Sequence, residues 1–175
     1  MSADLELTPC ESLAELQKHL AKATRSLLVG GESEAPRGFF IINVAAEAPL
    51  MIGLCSSGVS PRQRVLWQAK QGRVLIGSDC TVTSVDAQTG KIISNVRLDG
   101  AFFDFLLPDD NGATIVHELG AVGIGFDGAV RWSVSSDDVV ENFRVETGRI
   151  LELDIVDADG PLRVSLAEGR VLEAE

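Results

Sequence analysis

The sequence has 175 residues, of which 45% are hydrophobic and 23% are charged, with 17 glycines and a net charge of -11. This length suits a single domain over residues 1–175 that buries about 70% of its unfolded surface. The composition excludes a largely disordered chain. No apolar run approaches the ~20 residues that a membrane-spanning helix needs, so we expect no insertion into a membrane.

The negative charge is concentrated in the second half of the chain. Residues 1–87 carry eight basic and nine acidic side chains, whereas residues 88–175 carry seven and seventeen. An acidic half of this kind repels a phosphate backbone, so we expect no binding to nucleic acid. It attracts a basic protein, although charge of this sign also serves solubility alone.

The first predicted element is an amphipathic helix over residues 9–24. Thr8 suits the N-cap, Pro9 the first helical position and Glu11 the capping box. The leucines that follow recur on one face at helical spacing; they are Leu13, Leu16 and Leu20. We expect this apolar face to pack on the rest of the domain.

After this helix the pattern changes to short apolar runs separated by Gly, Asp, Asn or Pro. The runs begin near residue 26 and continue to the C-terminal end of the sequence. Regular punctuation of this kind is typical of an antiparallel β-meander. We therefore predict an all-β fold over residues 26–175, with one helix before it.

Three stretches of the meander resemble one another. They cover residues 73–94, 113–134 and 149–173, and each reads as strand, short link, strand, glycine turn and strand. The turn glycines are Gly90, Gly128 and Gly169, which are 38 and 41 residues apart. A period near 40 residues is typical of the four-stranded blades of a propeller.

Two of these turns resemble those of a known family. The segments "VDAQTGKIIS" and "FDGAVRWSV" are similar to the blade turns of quinoprotein-type β-propellers, where an aspartate, a T-G or D-G turn and a strand ending near Trp recur. The resemblance covers residues 73–173, with Trp132 in place but Ile93 and Leu172 where further tryptophans are expected. It implies a propeller-like architecture. It implies no cofactor, because no quinone-binding residue set is matched.

Closure into a ring is a separate question. About 150 residues follow the helix, which is room for about four units at a period near 40 residues. The same meander also fits a two-sheet sandwich or an open barrel. The repeats favour the propeller-like arrangement.

Few residues suggest chemistry. His117 and Cys55 are candidates for a base and a nucleophile, but no cluster has metal-ligand spacing, and we predict neither a metal nor a cofactor. The segment from Gly53 to Gly58 lacks the spacing of a nucleophile elbow. Asp157-Ala158-Asp159-Gly160 begins like a calcium loop, but its glycine is at the fourth position rather than the sixth, so we predict a plain turn.

Acidic turns are the strongest candidates for recognition. Asp109 and Asp110 lie in one predicted turn, and Asp137 and Asp138 in the next connection. We predict that these four form a partner-binding rim, with a small basic counterpart elsewhere; its residues are Arg62, Arg64, Lys70 and Arg73. Ordinary solvated turns are the alternative.

The function predicted from these patterns is that of a non-catalytic module which binds another protein, in particular a basic one that it neutralises. The alternative is a small enzyme or ligand-binding domain with its pocket at the centre of the meander. The acidic N-terminus lacks the order of a secretion signal, and the three cysteines, Cys10, Cys55 and Cys80, contain no CxxC pair. We therefore expect a cytoplasmic protein with reduced thiols.

Overall fold

The computed structural model describes residues 2–30, 35–106 and 111–172. Within these ranges the chain is all-β, with one α-helix, α1 (Leu13–Leu20), and one 3-10 turn at Ala69–Gln71. Seventeen described strands form four separate sheets, which we number I to IV in the order in which their central strands occur. Four successive sheets make the fold propeller-like, and neither a two-sheet sandwich nor a barrel is formed by the described strands.

Sheet I contains four strands and one parallel pair. Across the sheet they are β2 (Leu7–Cys10), β4 (Gly38–Val44), β5 (Leu50–Ser56) and β3 (Ser26–Val29). The outer strand β3 runs parallel to β5, whereas the other pairs are antiparallel. The predicted antiparallel meander was therefore wrong for its first strand, β3, because α1 connects β2 to β3 at the opposite edge of the sheet and no hairpin joins β3 to its neighbour β5.

Sheets II to IV are antiparallel meanders. Sheet II contains β1 (Ser2–Asp4), β6 (Arg64–Gln68), β7 (Arg73–Ser78), β8 (Thr81–Asp86) and β9 (Lys91–Arg97). Sheet III contains β10 (Phe102–Leu106), β11 (Gly112–His117), β12 (Gly120–Gly125) and β13 (Val130–Ser135). Sheet IV contains β14 (Val140–Glu146), β15 (Ile150–Ile155), β16 (Leu162–Ser165) and β17 (Val171–Leu172).

The three turn glycines occupy corresponding places in these meanders. Gly90 joins β8 to β9, Gly128 joins β12 to β13, and Gly169 joins β16 to β17. Each therefore links the last two strands of its sheet in chain order, and each has a positive φ, of 68°, 82° and 66° respectively. Side chains with a Cβ rarely adopt this conformation, which accounts for the recurrence of glycine there.

Each of these glycines also receives a side chain from the preceding sheet. A Cβ on Gly128 would meet Ser94 Oγ at 1.8 Å, and one on Gly169 would meet Trp132 Cγ at 2.4 Å. At the first junction Arg25 takes this place, because its guanidinium donates to the carbonyls of Ala87 and Gln88 beside Gly90, at 3.0 and 2.5 Å. In each of sheets II, III and IV, the glycine turn is thus contacted by a side chain from the preceding sheet, and the three side chains differ in chemistry.

Apolar side chains fill the space between consecutive sheets. Sheets I and II share one buried cluster around Ile52 and Ile76, II and III share one around Phe102, and III and IV share one around Leu151. None of the hydrophobic clusters formed by the described residues joins sheet IV to sheet I.

The two outward faces at the ends of this series are covered differently. On sheet I, α1 buries Leu16 against Ile41 and Cys55. On sheet IV, Glu152 alternates with the buried Leu151 and Leu153, and it forms ion pairs with Arg144 at 2.5 Å and with Arg163 at 3.2 Å. A polar outer face is what a terminal repeat needs in order to remain solvated.

The helix is shorter than predicted. Residues 8–10 belong to β2, where Thr8 pairs with Ile41 and Pro9 with Phe40 of β4. Proline is tolerated there because β2 is an edge strand. The N-cap is Ser12 rather than Thr8, the helix ends at Leu20, and β3 begins at Ser26. With eight residues, α1 is too short to span a bilayer, and no other helix among the described residues is long and apolar enough to do so.

The Ser12 cap gives a local test of the helix. Ser12 Oγ accepts from the Glu15 amide at 3.2 Å. Ser12→Ala should lower the free energy of unfolding by about 1 kcal/mol, as measured by urea denaturation, whereas Ser12→Asp should retain the wild-type value. An unchanged stability in Ser12→Ala would mean that packing against sheet I alone maintains α1.

Candidate functional site

Two of the four predicted recognition residues lie in the described chain. Asp137 and Asp138 are exposed in the connection between β13 and β14, while Asp109 and Asp110 lie outside the described residues. The connection is held at both ends by neighbouring backbone. The Ser136 amide donates to the carbonyl of Leu119 at 2.9 Å, and the Val140 amide donates to that of Glu118 at 2.7 Å.

Hydrogen bonds within the connection fix Asp138 further. Its side chain accepts from the Val139 amide at 2.7 Å, and its carbonyl accepts from Ser136 Oγ at 2.7 Å. The Val156 amide donates to the carbonyl of Val139 at 3.0 Å, which joins the connection to sheet IV. Both carboxylates are therefore presented on an ordered backbone rather than on a free loop.

The stacking of sheets III and IV brings a third carboxylate to this position. Asp157, in the turn between β15 and β16, lines the same cavity of about 530 Å³ as Asp137 and Asp138. Ile155, Pro161 and Leu162 contribute apolar surface, and no basic side chain is among the described residues that line the cavity. We call the three aspartates and their apolar lining the acidic rim.

The segment Asp157-Ala158-Asp159-Gly160, which begins like a calcium loop in sequence, is not arranged as one. Glu168, which would be the twelfth ligand, lies 4.0 Å from Arg170 in an exposed ion pair. Within residues 2–30, 35–106 and 111–172, no group of three or more His, Cys, Asp or Glu side chains is placed to hold a metal ion. The segment is a turn in which Asp157 has a φ of 57°.

The predicted basic counterpart is not a free patch. Arg62 and Arg64 both donate to Asp104, at 2.5 and 3.1 Å, and this carboxylate is only 12% exposed. Arg73 is paired with Asp86 across the β7–β8 strands. Three of the four predicted basic residues thus form ion pairs with carboxylates of other strands or sheets.

His117 lies at the end of β11 with 2% of its surface exposed. Its Nδ1 accepts from the Leu119 amide at 3.3 Å, which places the proton of the neutral ring on Nε2. Burial lowers the pKa of this imidazole, with opposing contributions from Asp99 and Glu118. His117 is therefore neutral at pH 7 and fixed in orientation by the turn that follows it.

Cys55 lies in β5 beneath α1, with 2% of its surface exposed. Burial raises the pKa of its thiol, which disfavours the thiolate that a nucleophile requires. Cys55 belongs to sheet I and His117 to sheet III, so the two candidates do not converge.

The segment that follows Cys55 wraps around a carboxylate that sequence reasoning did not single out. Asp79, in the turn between β7 and β8, accepts from the amides of Ser57 and Gly58 at 2.8 and 3.1 Å. It also accepts from Ser56 Oγ at 2.9 Å and from the Val59 amide at 3.2 Å. Sheets I and II are thereby joined at their connection. The only local signal in the sequence was Asp79-Cys80 between two apolar runs, which predicts a tight turn. In the structure Asp79 has a φ of 52°, which is uncommon for a residue other than glycine.

Comparisons with known proteins establish no family. Neither the known protein families nor the curated proteins include a match to this sequence. Among solved structures, BamB from Moraxella catarrhalis is similar over 99% of this chain and 50% of its own, with a TM-score of 0.44 and 11% identity. A protein of unknown function from Bacteroides caccae is similar over 85% and 59%, with a TM-score of 0.39 and 13% identity. The chain thus spans about half the length of the solved structures that it resembles.

Proposed function

We propose that this protein is a non-catalytic, cytoplasmic module that binds a basic partner protein through the acidic rim. The observation that supports this most directly is the convergence of Asp137, Asp138 and Asp157 on one cavity with no basic side chain among its described lining residues. Carboxylates on a fixed backbone beside exposed apolar surface suit a basic side chain that is followed by an apolar one.

The distribution of charge supports the same proposal. The half of the sequence that contains the acidic rim carries the excess negative charge, with seventeen acidic and seven basic residues. Most of the basic residues of sheet IV are already engaged, since Arg144 and Arg163 pair with Glu152 and its neighbours. The field outside sheets III and IV is therefore negative and favours the approach of a cationic surface.

The cytoplasmic location is part of this proposal. Cys10, Cys55 and Cys80 form no disulfide. Burial raises the pKa of all three thiols, which keeps them protonated and slow to oxidise. Unpaired cysteines are usual in reducing compartments.

The second candidate is a small enzyme that uses His117 or Cys55. The favourable observation is that both are buried and have shifted pKa values, as catalytic groups often do. Both shifts, however, have burial as their largest cause and favour the uncharged form. A nucleophile activated by a neighbouring base would show the opposite direction for the thiol.

Charge reversal at the acidic rim tests the proposal. The partner is obtained by co-purification with the tagged chain from its native host, and its binding kinetics are measured at two salt concentrations. Asp137→Lys with Asp138→Lys should slow association about tenfold or more at low salt, with a smaller effect on dissociation. The effect should shrink as salt rises, because the Debye length falls to ~8 Å at physiological ionic strength.

A matched control separates the rim from net charge. Glu6 and Glu47 are exposed acidic residues in the first half of the chain, and their replacement by lysine changes the net charge by the same amount. This control should leave the association rate close to that of the wild type. Equal slowing in both variants would show that overall charge, rather than the acidic rim, guides the partner, and unchanged rates in both would remove the proposal.

A further inference from the structure

The connections on either side of sheet III are built in the same way. Residues 98–101 join sheet II to sheet III, and residues 136–139 join sheet III to sheet IV. In each, the first residue of the connection and the first residue of the following strand donate their amides to the two carbonyls of a two-residue turn in the sheet that the chain is leaving. These bonds run from Leu98 to Cys80 and from Phe102 to Asp79 at the first connection, and from Ser136 to Leu119 and from Val140 to Glu118 at the second. Ser136 therefore occupies the position that corresponds to Leu98.

The first connection is closed by its leading side chain. Leu98 is only 5% exposed and belongs to the buried cluster that sheets II and III share. Gly100 lets the turn of sheet III approach, because a Cβ at this position would lie 2.7 Å from Glu118 Cβ. His117, the last residue of β11, is buried beside that turn. Residues 98–101 thus pack directly on the turn of sheet III.

The second connection is open at the corresponding place. Ser136 has a shorter side chain than leucine, and its hydroxyl donates to the carbonyl of Asp138 within the connection at 2.7 Å. The turn of sheet IV is also longer, since residues 156–161 separate β15 from β16. Ile155, the last residue of β15, is only partly buried, in contrast to His117 at the end of β11. The cavity of the acidic rim, which Ser136 and Ile155 both line, therefore corresponds to the place that a leucine fills at the first connection.

The wall of this cavity is apolar on the side of sheet IV. Ile155 and Leu162 pack against the buried cluster around Leu151, and both remain partly exposed where they line the cavity. An aliphatic side chain placed on them would extend that cluster, as Leu98 extends the cluster between sheets II and III. Moving such a side chain out of water and onto apolar surface is favourable. The cavity therefore combines a place for one aliphatic side chain with the three carboxylates at its edge.

We propose that the acidic rim recognises a segment of its partner in which an aliphatic residue of about the size of leucine stands next to lysine or arginine. The aliphatic side chain packs on Ile155 and Leu162, at the position that corresponds to Leu98, and the neighbouring cation lies beside the carboxylates of the rim. A cation alone leaves the apolar wall in water, and an uncharged aliphatic group leaves the carboxylates without a counter-charge. This recognition rests on the proposed function, to which it adds the aliphatic residue and its place in the cavity.

The test uses three short peptides and follows the backbone amide shifts of the full chain by NMR at low salt. The probe is acetyl-Lys-Leu-Lys-amide, and the comparators are acetyl-Lys-Ser-Lys-amide, which lacks the aliphatic side chain, and acetyl-Ser-Leu-Ser-amide, which lacks the charge. The probe should give saturable shifts around Ser136, Ile155 and Asp157, with a Kd of about 1 mM for so small a ligand. Each comparator should bind about tenfold more weakly, because each lacks one of the two contacts.

Two substitutions at one position connect the preference to the cavity. Ser136→Leu fills the cavity from within the chain, as Leu98 does at the first connection, so it should weaken the leucine peptide about tenfold and leave the serine peptide unchanged. Ser136→Ala removes the same hydroxyl bond to the carbonyl of Asp138 without filling the cavity, and it should bind the leucine peptide within about twofold of the wild type. Asp137→Lys with Asp138→Lys should weaken both lysine peptides and remove most of the difference from the neutral one.

The outcomes separate this inference from the proposed function. Equal affinity for the leucine and serine peptides, or no saturable shift with any peptide, would overturn the inference, and so would a Ser136→Leu variant that still prefers leucine. The proposed function is decided by the co-purified partner instead. A partner whose association is slowed by charge reversal but whose affinity is unchanged by Ser136→Leu would support the proposed function and contradict the place assigned to an aliphatic residue.

Discussion

Gly77→Ala is expected to lower the free energy of unfolding by about 1–3 kcal/mol, a large effect for the addition of one methyl group. A Cβ at position 77 would lie 2.2 Å from the ring of Phe102, and this ring is completely buried between sheets II and III. The ring cannot move away easily, because the cluster around it is closed by side chains of both sheets. Urea denaturation of the wild type and the variant measures the difference.

Two further variants show whether the contact with Phe102 is the cause. Phe102→Leu should itself be destabilising, but the double variant with Gly77→Ala should lose less than the sum of the two single losses, because leucine leaves room for the methyl group. Gly160→Ala is the matched control, since a Cβ there meets nothing within 4 Å, and its stability should equal or slightly exceed that of the wild type. Strict additivity in the double variant would place the strain of Gly77→Ala in the backbone of β7.

Asp79→Ala should cost about 3 kcal/mol, because it leaves the amides of Ser57, Gly58 and Val59 without their common acceptor and places alanine at a positive φ. Asp79→Asn keeps one acceptor oxygen and suits the same backbone conformation, so its loss should be about half as large. A negligible loss in Asp79→Ala would show that the connection between sheets I and II is maintained by Arg25 and the apolar cluster alone.

The same carboxylate predicts a dependence on pH. Burial acts to raise the pKa of Asp79, but the hydrogen bonds from the Ser57 amide, from Ser56 and from Val59 outweigh it and lower the pKa below its ordinary value of 3.8. A lowered folded-state pKa stabilises the protein fully above the unfolded-state value, and this stabilisation disappears as pH falls through the folded-state value. Unfolding free energies measured from pH 7 down to about pH 2 should therefore decline more steeply below about pH 4 in the wild type than in Asp79→Asn. Parallel curves would mean that Asp79 is equally acidic in the unfolded chain.

Local signals were sufficient for the β-rich part of the fold and for its repeated turns. Alternation of apolar residues is a property of neighbouring positions in the chain. Gly90, Gly128 and Gly169 have the positive φ values that their local turns require, and glycine adopts these values most readily. The place of Asp137 and Asp138 between two strands was predictable for the same reason, whereas their role in recognition stays a prediction.

Tertiary structure decided the remainder. Thr8 and Pro9 carry the local signature of a helix start, yet pairing with β4 places them in an edge strand. The strand pairing, together with the partial burial of the flanking Leu7 and Cys10, exceeds a weak helical preference. Asp157 joins Asp137 only because sheet IV stacks on sheet III, and Asp79 meets the 56–59 segment only because sheet I stacks on sheet II. Contacts between faces depend on which sheets are adjacent, and no spacing along the chain encodes that adjacency.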